Sequence, residues 1–291
     1  MPTWFERDGR RAGPVFATTI PPLANPQLSP EGTRLAAIVD RSLWVYPLDA
    51  RPPIRLTTGG SLSPLWSPDG QSIVYERFGT VAGLHVIAAD GSSSVPRAVG
   101  PPGHFHAHGF IDGGRGVLAV FEAPQSVGSW SLVQLPWSGA DAPSRLGDLV
   151  LPTPAADAAL SPDGRWLAYV ANTTGRPELW VRRYPSLDGA VRISSNGAAE
   201  PVWGKKGREL FYLEDDRLMR VRVGADTSGR FVYEAPAMLL EKSFMRVAQS
   251  PSFDVAADGR LLMLERVPAG PPPPIDVIVN WRDRVATPPS P

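Results

Sequence analysis

Three histidines alternate in the run His104-Phe105-His106-Ala107-His108. Alternate side chains of a strand face one way, so three imidazoles at this spacing can converge on one metal ion. No acidic residue lies close by in sequence to complete or orient such a site. A polar strand edge accounts for the run more simply. A second set is spread along the chain. Asn25, Ser63, Ala107 (with His106 and His108 beside it), Asp157, Glu200 and Ser252 each stand three residues before an apolar or aromatic anchor. Carboxylate, amide, hydroxyl and imidazole brought together in this way suit a cationic group, a peptide terminus or water. Two carboxylates close to one another favour the cation.

Other chemistries are excluded by what is missing. The chain has no Walker loop, no kinase lysine with a catalytic loop, no HExxH helix and no GxSxG elbow. It has no cysteine, which removes disulfides, thiol nucleophiles and Cys-ligated zinc.

What positions the spread set is a repeated turn. Residues 160–170 read LSPDGRWLAYV and residues 65–75 read LWSPDGQSIVY. In Ser-Pro-Asp-Gly, Ser accepts a local hydrogen bond and Pro pre-sets its φ. Asp tolerates the third place, and Gly permits the positive φ that reverses the chain. The aromatic and β-branched residues that follow read as a strand, so the unit is a hairpin. One hairpin is marginal in water, and its recurrence implies stacked copies.

Six copies are present, ending at Gly32, Gly70, Gly114, Gly164, Gly207 and Gly259, with FIDGG at Gly114 a decayed version. A period of about 40–50 residues belongs to a four-stranded propeller blade. Further strands fall between the turns, as SLWVYPL (42–48) and PIRLT (53–57) in the first copy and ELWVRRY (178–184) and AVRIS (190–194) in the fourth. A second register agrees: TTGGSLSPLWSPDG (57–70) aligns without gaps to SSNGAAEPVWGKKG (194–207). The outer strand of one blade, the crossing and the inner strand of the next therefore repeat together. The fold expected is all-β, a six-bladed propeller of four-stranded blades, with the N-terminal strand joining the last blade to close the ring.

Blades are expected near 20–60, 61–103, 104–151, 152–197, 198–243 and 244–285, the last completed by 1–19, in one domain over 1–285 with a tail at 286–291. The last blade draws on FDVAADGRLLMLERV (253–267) and IDVIVNW (275–281), with Pro271–Pro274 as a stiff spacer between them. Trp66, Tyr75, Trp166, Tyr169, Trp203 and Tyr212 recur at fixed blade positions and read as packing between blades, not as ligand-stacking rings. The inner strands line the central channel, so the spread polar set falls near one channel mouth.

Charge and composition set limits on partners. The 291 residues carry a formal net charge of +0, which gives no support to nucleic acid or an anionic membrane. Short basic clusters at 7–11 and 205–208 read as solvated turns. The N-terminus lacks an apolar run of signal-peptide length and no window approaches a membrane span. The compartment is cytoplasmic if the chain is complete, and periplasmic or extracellular if it is detached from a longer protein.

These motifs together resemble the TolB-like six-bladed propeller. Within that group they are most similar to the propeller that follows a kinase domain and membrane segment in bacterial serine/threonine kinases. The matching pieces are WFERDG (4–9), LSPDGRWLAY (160–169), EPVWGKKGRELFY (200–212) and VIVNW (277–281). The third blade departs from the pattern. The resemblance implies a non-catalytic, monomeric scaffold for a protein or peptide, without cofactor, serving as the interaction module of a kinase or envelope system. The ring's residue types also resemble the ligands of six-bladed metal-dependent lactonases, but only two acids are on offer.

Overall fold

In the computed structural model, the described residues are 1–266 apart from 50, 80–81, 123–128, 138–143, 153–156, 174 and 246–250. All of their regular structure is β-strand, in six antiparallel sheets. The inner strands are Ala24–Leu28, Ser61–Trp66, His104–Ile111, Ala158–Leu160, Ala199–Trp203 and Phe253–Val255, which define blades one to six.

Each inner strand leaves through the repeated turn. All six turn glycines have φ between +66° and +94°, and each donates its N–H to the carbonyl three residues back at 2.8–3.0 Å. Ser67 and Ser161 accept backbone N–H groups from beyond the turn and donate to Asp69 and Asp163, both at 2.6 Å. The sequence that encodes the turn thus satisfies its own polar groups. The FIDGG copy keeps the hydrogen bond, from Gly114 to Ile111 at 3.0 Å, and its blade has four full strands. The third blade is decayed in sequence but keeps the turn and the four-stranded order.

Six apolar clusters hold the sheets together, one between each pair of neighbouring blades. Trp66 and Tyr75 pack with Ile38 and Val45 between blades one and two. Trp166, Trp203 and Tyr212 pack with Leu179 and Val181 between blades four and five. The recurring aromatics are therefore packing groups, as their spacing implies, and two of them also fix the crossing. Trp66 Nε1 donates to Gln27 O, and Trp203 Nε1 to Ala159 O, each at 3.0 Å across a blade boundary. The sixth cluster joins Leu262 and Leu264 to Leu28, Leu35 and Tyr46 of blade one.

The last blade corrects the expectation in detail. Pro2–Phe5 pairs with Leu261–Leu264, and Arg11–Pro14 pairs with Pro2–Phe5, so two N-terminal strands, not one, supply its outer half. Its sheet order runs from Arg11–Pro14 through Pro2–Phe5 and Leu261–Leu264 to Phe253–Val255. The segments 271–274 and 275–281 lie outside the described residues. Blade five also differs from a plain four-stranded blade. Its long third strand, Arg217–Ala225, carries Phe231–Tyr233 on one stretch and Ala237–Glu241 on another.

Candidate functional site

The inner strands surround an open funnel of about 230 Å³ on the ring axis. Asn25, Ser63, Ala107, His108, Asp157 and Glu200 all contribute to its wall, one or more from each of blades one to five. Spacing in the sequence therefore becomes proximity in space. Ser252 and His106 are not on that wall: both are buried behind it.

The inner strands reach the funnel by breaking their own register. Pairing shifts between Ala24 and Gln27, between Leu62 and Leu65, between Ala107 and Gly109, and between Ala199 and Val202. An extra residue in a ladder bends the strand and re-aims a side chain. At three of these bulges the ring residue is left-handed, with φ of +49° at Asn25, +48° at Ser63 and +54° at Glu200. Each precedes a proline, Pro26, Pro64 or Pro201, which has no N–H to offer the ladder. Positive φ is uncommon for a residue with a Cβ, least so for Asn.

The two acids bind the ring to itself. Asp157 Oδ2 accepts the backbone N–H of Glu200 at 3.0 Å. Glu200 Oε2 accepts the N–H and hydroxyl of Ser252 at 2.7 and 2.6 Å. A carboxylate of blade four thus latches blade five, and one of blade five latches blade six. Both acids therefore take a structural role, the second above all, because the Ser252 donors are buried with no water to turn to.

A third acid, Asp254, went unread in the sequence. It accepts the N–H groups of Leu28 and Val255, both at 2.7 Å, and faces Lys205. Its signal was positional: the residue just before each inner-strand anchor faces the channel, and the other five blades place Gln27, Leu65, Gly109, Ala159 and Val202 there. Lys205, expected on a solvated turn, lines the funnel opposite it.

The three histidines separate. His104 is exposed and lies 3.4 Å from Glu122. His106 is buried, with Nδ1 2.8 Å from Glu76 Oε2 of blade two. The acid absent from its sequence neighbourhood arrives through the fold, and the run is not a polar edge. His108 is the bulged residue and turns into the funnel wall. Burial first, then the charge of His106, hold its imidazole down to about 3 despite a hydrogen bond with the Ala158 backbone. It is neutral at ordinary pH. Among the described residues no group of three His, Asp or Glu side chains is arranged to hold a metal ion.

This architecture is a six-bladed β-propeller, and its fold is similar to that of solved TolB structures. The chain matches a TolB-type protein from Agrobacterium tumefaciens with TM-score 0.68 and 18% identity, over 92% of this chain and 98% of that one. It matches TolB from Acinetobacter baumannii with TM-score 0.57 and 18% identity, over 78% of this chain and 56% of that one. An oligogalacturonate lyase in complex with manganese matches with TM-score 0.51 and 11% identity, over 80% and 67%. No family model and no curated protein sequence matches the chain.

Proposed function

We propose that this propeller is a non-catalytic scaffold whose funnel receives a segment of a protein partner. The observation that supports this reading is the use made of the two ring acids. Asp157 and Glu200 take backbone N–H groups of the next blade, which builds a rigid receptor rather than a general acid–base pair. A receptor fixed before binding loses little conformational entropy when a segment enters. The likeness to TolB structures agrees with the reading at the level of fold, and propellers host unrelated functions on one architecture. The finer assignment is to the interaction module of a kinase or an envelope system, on the strength of the EPVW and VIVNW segments.

A metal-dependent hydrolase is the second reading, favoured only by the mixed carboxylate, amide and imidazole wall. It needs ring acids that are available to an ion, and each of the two has a backbone donor already.

Peptide display on the intact chain tests the first reading. Val202 lines the funnel without filling it, so Val202→Arg narrows the opening and sets a positive charge on its acidic wall. Peptides selected on the natural protein should be lost on Val202→Arg. Selection that yields no peptide, or peptides indifferent to that change, would remove the funnel as receptor. Lactone hydrolysis with added calcium or zinc, abolished by Val202→Arg, would promote the hydrolase in its place.

A further inference from the structure

The funnel wall offers acceptors that the fold leaves without donors. Asn25 is only 4% exposed, stands at a left-handed bulge on the wall, and its Oδ1 has no hydrogen-bond partner. On blade three, His108 Nε2 is likewise buried without a partner. Its ring is neutral and bonds through the other nitrogen to the Ala158 backbone, so Nε2 keeps a lone pair. Unsatisfied buried acceptors are rare in native proteins and each needs an explanation.

Among the described residues, the one cation on this wall is loosely held. Lys205 Nζ lies 3.4 Å from both oxygens of Asp254, longer than the roughly 2.7–2.9 Å of a well-made charge-assisted bond. Asp254 itself is 5% exposed, whereas the Lys205 side chain is a third exposed on a hairpin turn. Lys205 also borders a second cleft between blades five and six, so it has somewhere else to go.

We propose that the funnel takes a cationic group of a partner chain, an ammonium or guanidinium, against Asp254 and the acceptors of Asn25 and His108, with Lys205 as a tethered competitor for that place. This rests on the reading that a partner segment enters the funnel. A guest cation brings several N–H donors on one charged group, which is what an acceptor-lined, acid-backed wall lacks. Among the described residues, an anionic guest would meet Asp157, Glu200 and Asp254 with Lys205 alone to answer them.

The test titrates the full chain with two probes, the acetylated pentapeptide amide Gly-Ser-Arg-Ser-Gly and its citrulline counterpart, followed by NMR. The arginine probe should bind and the citrulline probe should not. Lys205→Met sits on a turn outside the core and should tighten the arginine probe about fivefold, the scale of one partly exposed ion pair. Asn25→Asp keeps a residue that tolerates positive φ, adds a negative charge to the wall, and should tighten it also. Equal binding of both probes, no binding of either, or unchanged or weaker binding in Lys205→Met overturns the proposal. If displayed peptides still require the open funnel while the arginine probe fails, this inference falls and the scaffold reading stands. If neither engages, both fall.

Discussion

The Asp157 carboxylate holds the backbone N–H of Glu200 at 3.0 Å, across 43 residues and one blade boundary. Glu200 in turn holds Ser252 of the next blade through both its N–H and its hydroxyl. The relay makes the channel wall a continuous part of the ring's stability.

Breaking the second link should be costly. Glu200→Ala leaves the fully buried Ser252 N–H without an acceptor and should cost about 2–3 kcal/mol in urea unfolding. Glu200→Gln keeps one acceptor oxygen and should cost less than half as much. Two variants of natural stability would show the latch to be idle.

Packing across the blade four–five boundary centres on Trp203. Its ring is buried between Trp166 and Tyr212, and its Nε1 donates to Ala159 O. Trp203→Ala removes both and should cost about 3–5 kcal/mol. A loss below about 1 kcal/mol would contradict the buried position.

Deletion of residues 1–19 should open the ring. It strips the partner strand from Leu261–Leu264 and exposes a sheet edge, and unpaired edges invite association. Loss of a single sharp melting transition, with self-association on sizing columns, is the expected result. A monomer that melts as before would rule out closure by this segment.

Acid should loosen the same blade through Glu265. Burial pushes its carboxyl up, but hydrogen bonds from Arg11, Lys242 and Thr3 and the Lys242 charge outweigh burial and hold it at about 2, against 4.5 for an ordinary Glu. A depressed folded-state value means the stabilisation is fully present above pH 4.5 and is lost as pH falls from there through about 2. The difference in melting temperature between the natural chain and Glu265→Gln should be widest near pH 7. It should shrink over that acid window; a difference constant from pH 7 to 2 would show that Glu265 does not titrate against the fold.

The repeat was written in the chain because it is local chemistry. Ser161-Pro162-Asp163-Gly164 satisfies its own hydrogen bonds, so its turn, the following strand and the blade period are legible without any distant contact. The anchors Trp66 and Trp203, and the ring places three residues before them, follow from that period. What each ring residue does was not legible. Asp157 and Glu200 look like free channel acids until their donors arrive from the next blade, and His106 looks like part of a metal run until Glu76 meets it from blade two. The bulge that turns His108 inward and the two-strand closure by Pro2–Phe5 and Arg11–Pro14 are likewise set by pairing between distant segments. Short-range geometry fixes the period of the fold, whereas the partner of a buried polar group is chosen by the ring, because neighbouring blades bring together residues some forty positions apart.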